Sequence, residues 1–451
     1  MESNFSGGKI TSDGGGLLLR EVEERRRVIG RFAECFMDHR DERSIEHTTQ
    51  ELVAQRVYGI ALGYEDLNDH DVLRQDPLLA VLVGKSAPNG EERARERDRG
   101  KALAGKSTLN RLELTSGTVG EKERYKKIAL DEKAVEKVLV ELFLDAYEEA
   151  PERIVLDLDA TDDLIHGKQE GRFFHGYYGN YCYLPLYIFA GEHLLAAKLR
   201  KSDIDGSAGS VEELERIVGQ IRERWPVVQI VIRGDSGFCR EELMVWCESN
   251  KVDYVLGLAK NDRLKKEIED ELAKAKAEYE KTGKEAREFK DFQYQTLTSW
   301  SRERRVVGKA EHLAKGANPR FVVTTLRMED YDARRLYEKE YCVRGEMENR
   351  IKEQQIDLFA DRTSTATMRA NQLRLWFSSF AYVLMSELRR IGLKGTEMEH
   401  AQSGTIRTKL LKIGAQVKIS VRRVLVAMAS GCPYARIFEQ ALANLKQMAP
   451  I

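Results

Sequence analysis

Four aspartates crowd the end of one short apolar run. In RIVLDLDATDD, residues 153–163, Asp157 and Asp159 alternate with leucines, and Asp162 and Asp163 follow at once. Carboxylates are costly to desolvate and are rarely placed in a buried strand without compensation. A strand that ends in acids is therefore a candidate metal or catalytic site. Asp157 and Asp159 are two residues apart, so on a strand they share a face, and alternation alone does not choose between them.

Partner acids lie further along. Asp235 closes VVQIVIRGD, just beyond the carboxyl end of another apolar strand, where open α/β sheets place their ligands. If the two strands are neighbours, their carboxylates converge and repel unless a divalent cation compensates them, and hard oxygen donors suit Mg²⁺ or Mn²⁺. A third acid is expected from a later helix, and Glu348 stands in EYCVRGEMENRIKEQQ. At about 100° per residue, Tyr341, Arg344, Glu348 and Lys352 fall within roughly 80° on one face, with Glu346 on the far side. Such a stripe can supply a metal ligand and phosphate contacts together, although a solvated, salt-bridged helix face has the same pattern. Trp300 is a candidate platform for stacking an unpaired base, although the centre of a small local core accounts better for its type. His166 and His175 flank a glycine-rich turn and read as hydrogen-bonded structural residues.

The elements that must position these groups follow from periodicity. Residues 17–111 read as a series of amphipathic helices, broken at Asp76-Pro77, because the residue before proline is pushed out of the helical region. Within the Arg- and Lys-rich stretch 88–114, the segment Ser107-Thr108-Leu109-Asn110-Arg111 can open a short helix of the kind that lies against DNA. An amphipathic helix covers 132–149. After Pro151 the period changes. RIVLDLD, CYLPLYIF and HLLAAKLR are strands, with a hairpin loop at residues 190–193. A helix to about residue 224, opened by a Ser210/Glu213 capping box, a strand ending at Gly234, a second helix and the strand DYVLGLA complete the set. Hairpin strands followed by βαβ crossovers predict a mixed sheet with helices on its faces. From 261 a charged helix and short alternating runs read as a β-rich insertion, after which helix returns over 337–358. The segment 404–424 carries Arg407, Lys409, Lys412, Lys418, Arg422 and Arg423 and no acid.

The 451 residues, 42% apolar and 33% charged, allow a large core and more than one domain, and exclude a disordered chain. No apolar run approaches the ~20 residues needed to span a bilayer, and the first residues lack the pattern of a secretory leader. The six cysteines form no CxxC pair, which favours a reduced, cytoplasmic protein without a structural zinc site. The net charge of −1 gives no global signal for nucleic acid, but local patches decide such binding.

LDLDATDDLIHGKQEGRFFHGYYGNYCYLPLYIF, then IRGDSGF, then YCVRGEMENRIKEQQIDLF together resemble the bacterial insertion-sequence transposases of the DDE class. The likeness is to the branch with a Y-R-E-K signature and a β-rich insertion before the glutamate, and it covers nearly the whole chain. It implies an α/β, RNase H-like mixed sheet flanked by helices, with a helical N-terminal domain. The implied divisions are a DNA-binding region at 1–130, a catalytic core at 131–260 and 337–395 interrupted by the insertion at 261–336, and a basic helical region at 396–451.

The resemblance puts the catalytic and metal-binding triad on Asp159, Asp235 and Glu348, with Asp157 as the alternate for the first. It puts phosphate contacts on Tyr341 and Arg344. Where the signature expects lysine, seven residues after Glu348, Gln355 stands, and Lys352 on nearly the same face is the candidate substitute. Two Mg²⁺ or Mn²⁺ ions, transposon-end and target DNA as partners, a homodimer on DNA, no membrane and a cytoplasmic, nucleoid-associated location are implied with it. So is cut-and-paste chemistry on terminal inverted repeats. The competing classes are an RNase H-like DNA nuclease and an inactive DNA-binding derivative.

Overall fold

The computed structural model describes residues 3–4, 6–120, 125–420 and 423–449; Arg422 of the basic segment lies outside them. The chain divides into two compact units, one formed by Phe143–Asp162 and Arg172–Ile351, the other by Met1–Leu142, Asp163–Gly171 and Lys352–Ile451.

The first of these units is built on one mixed sheet. Its strands are β1 (Arg153–Ala160), β2 (Leu186–Ala190), β3 (His193–Lys198), β4 (Gln229–Gly234), β5 (Asp253–Leu258), β6 (Ala286–Tyr294), β7 (Arg304–Leu313) and β8 (Arg320–Thr324). They lie in the order β6-β7-β8-β5-β4-β1-β2-β3, and the two-residue strand Gly316–Ala317 pairs with β7. β1, β2 and β3 are antiparallel neighbours, whereas β4 runs parallel to both β1 and β5. The β2–β3 turn is possible at two residues because Gly191 takes φ +59°, which costs glycine nothing. The parallel pairs need crossovers, and α1 (Ser210–Arg224) and α2 (Glu241–Ser249) supply them. This order and these directions, β3-β2-β1-β4-β5 with only β2 reversed, are those of the RNase H-like sheet.

The strands of residues 286–324 continue that sheet. β8 pairs antiparallel with β5, setting Val255 opposite Thr324, and β7 and β6 follow in turn. Val231 and Val255 share one hydrophobic cluster with Val307, Val322, Leu326, Leu336 and Tyr337, so the added strands are fastened by core packing as well as by backbone bonds.

Two local expectations are corrected. The Ser210/Glu213 capping box does not form: the residue before α1 is Gly209 at φ +76°, so Ser210 already lies inside the first turn. Glu213 instead accepts from Lys198 Nζ at 2.5 Å and Arg216 Nη2 at 2.8 Å. The helix expected over 337–358 is not regular. Leu336–Tyr341 has π-type spacing, Cys342–Arg344 is a 3₁₀ turn, α3 (Gly345–Lys352) is α-helical, and Glu353–Asp357 is again π-type. Leu336 and Tyr337 are held in the hydrophobic cluster, and the change of pitch falls between them and Arg344.

The second unit is mainly helical. Met368–Glu387 is buried along almost its whole length, and Phe380 stacks on Phe32 at 3.9 Å. Glu387 pairs with the buried Arg26 at 2.7 Å. The C-terminal region, expected to be helical, contains the antiparallel hairpin Ala415–Ile419/Val424–Met428 before the helix Ala435–Gln447. The apolar residues there, Val417, Ile419, Val424 and Val426, alternate at strand period, and the β-branched side chains favour extended backbone. Part of its basic charge is used internally: Arg407 donates to the Ala61 carbonyl at 2.9 Å and Lys412 pairs with Asp13 at 2.6 Å. Among the described residues, no helix is long and apolar enough to cross a membrane.

Candidate active site

β1 and β4 are parallel neighbours in a register that sets Asp157 opposite Arg233 and Leu158 opposite Gly234. The two aspartates of β1 meet different partners. Asp157 is 4% exposed and takes a bidentate pair from Arg233, Nε to Oδ1 at 2.5 Å and Nη2 to Oδ2 at 2.7 Å. The remaining fork nitrogen of Arg233 donates to the Glu340 carbonyl at 2.6 Å. Burial raises the Asp157 pKa, and the Arg233 charge works against that rise.

Asp159 has no such permanent partner. Its Oδ1 accepts from the Ala160 N–H at 3.0 Å, and its Oδ2 lies 3.6 Å from Arg344 Nη1. Burial pushes its pKa up to about 6, Arg344 opposes the rise, and Asp235 and Glu348 add to it. The mutual influence of Asp159, Asp235 and Glu348 gathers the three acids into one electrostatic neighbourhood. Asp235, one residue beyond β4, is fixed by the Gly237 N–H, which donates to its Oδ1 at 2.8 Å.

Arg344 stands among these acids. Its Nη2 donates to Glu348 Oε1 at 3.0 Å, while Nη1, buried, has no hydrogen-bond partner among the described residues. Burial acts against its charge, but Asp159, Tyr341, Asp235 and Glu348 outweigh that and raise its pKa. Tyr341, on the preceding turn, is partly buried against the hydrophobic cluster, and burial followed by the Asp235 charge raises its pKa while Arg344 opposes. Lys352 is exposed at the last residue of α3.

Among the described residues, no three His, Cys, Asp or Glu side chains stand close enough to hold a metal ion as they are. The donor set nevertheless suits one in chemistry: three carboxylates supply hard oxygens, and Asp235 and Glu348 add to the rise that burial imposes on Asp159, a crowding of negative charge that Arg344 opposes.

Three residues at the site escaped the reading of the sequence. Gly257 of β5 lies against the Tyr341 hydroxyl, since a Cβ there would stand 2.5 Å from Tyr341 Oη and 3.0 Å from the Ser236 nitrogen. A glycine inside a strand often marks such a close approach, so VLGLA carried the signal. Arg233 carried none beyond its place before Gly234-Asp235. The Tyr178 hydroxyl donates to the Ala160 carbonyl at 3.3 Å, a contact that only the fold creates.

Other expected residues are placed differently. Trp300 is not available as a stacking platform in this arrangement: it is 6% exposed, packs edge-on to Tyr294 at 5.8 Å and lies 5.4 Å from the Arg304 guanidinium. Gln355 donates to the buried Asp163 at 3.0 Å. The His175 ring lies 4.9 Å from Tyr178, and His166 is exposed.

An RNase H-like sheet that ends β1 and β4 in carboxylates and adds a glutamate from a later helix defines a class of polynucleotide-processing folds. Residues 1–450 match the family model described as transposase DDE domain group 1, and the chain belongs to that family. It is thus a DNA transposase of the DDE class, a class that normally uses divalent metal ions. Among solved structures, a piggyBac transposase synaptic complex with hairpin DNA is similar over 88% of this chain and 79% of that one, at 11% identity and a TM-score of 0.42. No curated protein matches the chain.

Proposed function

We propose that this protein binds the terminal inverted repeats of an insertion sequence and catalyses strand cleavage and strand transfer by a cut-and-paste route, as a homodimer on DNA. The observation that carries the reading is Arg344 held between Asp159 and Glu348, beside Asp235. Asp159, Asp235 and Glu348 are the residues that would hold two Mg²⁺ or Mn²⁺ ions, which would supply activation of the attacking oxygen and stabilisation of the leaving one.

The chain's own residues do the rest. Arg344 would present its fork of donors to a neighbouring phosphate, joined by the Tyr341 hydroxyl and by Lys352. Asp235 keeps its orientation through the Gly237 N–H. The Asp157–Arg233 pair stays closed and holds β1 against β4. The attacking group is water in the first step and the freed DNA 3′-hydroxyl in the second. No covalent protein–DNA intermediate is formed, so no nucleophilic side chain is required.

The test is Asp235→Ala, assayed with Mg²⁺ on plasmid DNA carrying the flanking ends of the coding region. Expected is loss of end cleavage with DNA binding nearly unchanged. Cleavage at the wild-type rate in the variant would overturn the assignment.

A further inference from the structure

Between β1 and β2 the chain forms a second, smaller hairpin, Phe173–His175 against Asn180–Tyr183, joined by residues 176–179. It is fastened at its base. Cys182 and Tyr183 are fully buried, Ser202 Oγ donates to the Phe173 carbonyl at 3.1 Å, and the Tyr178 hydroxyl bonds to Ala160 at 3.3 Å. Its outer part is unusual for a soluble protein, because Tyr177 is 86% exposed, Phe174 58% and Tyr181 44%. Phe174 and Tyr181 are cross-strand partners with ring centroids 5.5 Å apart.

Cations lie against two of the hairpin's rings. Arg172 lies 3.8 Å over the Tyr181 ring, Lys201 approaches Phe173 at 6.0 Å, and residues 172–183 contain no acid. An apolar protein partner gains nothing from those cations, and an intact duplex offers no base faces to rings. An unpaired nucleobase with its phosphate offers both. The hairpin is also close to the chemistry, since Tyr178 bonds to the carbonyl of the residue after Asp159.

We infer that Phe174, Tyr177 and Tyr181 form a stacking platform for an unpaired nucleobase of the DNA strand beside the cleavage point, with Arg172 and Lys201 facing its phosphates. The inference rests on the strand-cleavage reading for its position, but not for its binding. Base–aromatic stacking tolerates any sequence, because every base has a π face.

The experiment measures fluorescence anisotropy of a labelled single-stranded oligothymidylate, and of an abasic oligomer of the same length, with the full-length protein. The Phe174→Leu/Tyr177→Ala double variant should bind oligothymidylate about tenfold or more weakly, and the abasic oligomer as the wild type does. Phe174→Tyr/Tyr177→Phe, which keeps both rings, should retain binding and so separates ring loss from misfolding. Unchanged binding of oligothymidylate by the double variant, or an equal loss on the abasic oligomer, overturns the inference. So does a change in sedimentation with base-dependent binding intact, which would make the hairpin a contact between copies. Ring-dependent binding in a wild-type protein that shows no Mg²⁺-dependent cleavage would overturn the cleavage reading and leave the platform standing.

Discussion

Asp157 and Asp159 are the same residue type on the same face of one strand, yet their neighbours give them opposite tasks. Asp157 closes the fork of the buried Arg233, and Asp159 faces a guanidinium that Glu348 shares. Removing one partner of a buried pair leaves the other charge uncompensated, at a cost of about 3–5 kcal/mol. Asp157→Ala should therefore lower unfolding free energy by about that much in chemical denaturation. Asp159→Asn removes a carboxylate that burial, Asp235 and Glu348 already disfavour, so stability should hold or rise while end cleavage is lost. The reverse pattern in denaturation and cleavage assays would exchange the two roles. Gln355 shows the same dependence on context: the position read as a lost phosphate contact is occupied with a hydrogen bond to Asp163.

At the scale of elements, the site depends on how closely the 336–344 turns approach β5. Gly257 permits that approach, with the Tyr341 hydroxyl where a Cβ would be. Gly257→Ala should push Tyr341 away and with it the turn leading to Arg344. Expected are a cost of about 1–3 kcal/mol from overpacking and a fall in cleavage larger than the fall in DNA binding. Thermal unfolding and a cleavage assay, compared with Tyr341→Phe, check both. The helical stripe itself was legible only in part. Periodicity placed Tyr341, Arg344 and Glu348 on one side, but it assumed a uniform pitch that the chain abandons at Leu336–Tyr341 and Cys342–Arg344.

For the molecule as a whole, the helical unit responds to pH through buried histidine. His70 is fully buried, its Nδ1 bonded to Gln55 Nε2 at 3.1 Å. Burial and then the Arg56 charge push its pKa from 6.5 down to about 3, against a smaller pull upward from Asp71. The unfolded chain thus takes a proton near pH 6.5 that the folded chain refuses until about pH 3. Stability from this group is complete above pH 6.5 and is lost as pH falls. Glu23, raised by burial to about 7, works in the other direction, so the informative comparison is with His70→Asn. Relative to the variant, the wild type should lose stability as pH falls from 6.5 to 5 in urea unfolding, with a slope that grows toward about 1.4 kcal/mol per pH unit. Parallel slopes would show that His70 is not held neutral.

By itself the sequence determined the strands and crossover helices of the core sheet and the chemistry at their ends. Apolar runs ending in Asp159 and Asp235, the strand-to-helix alternation of 153–258 and the acid–arginine–tyrosine cluster at 341–348 are local patterns, because they depend on spacing of two or about four residues. Tertiary structure decided which groups meet. The pairing of β1 with β4 in one register assigned Arg233 to Asp157, the addition of β8 to β5 extended the core sheet, and the packing around Tyr294 buried Trp300. The two strand pairings join residues tens of positions apart, a separation over which neither strand period nor helix period carries information, and the burial of Trp300 depends on how the chain turns back between Tyr294 and Arg304.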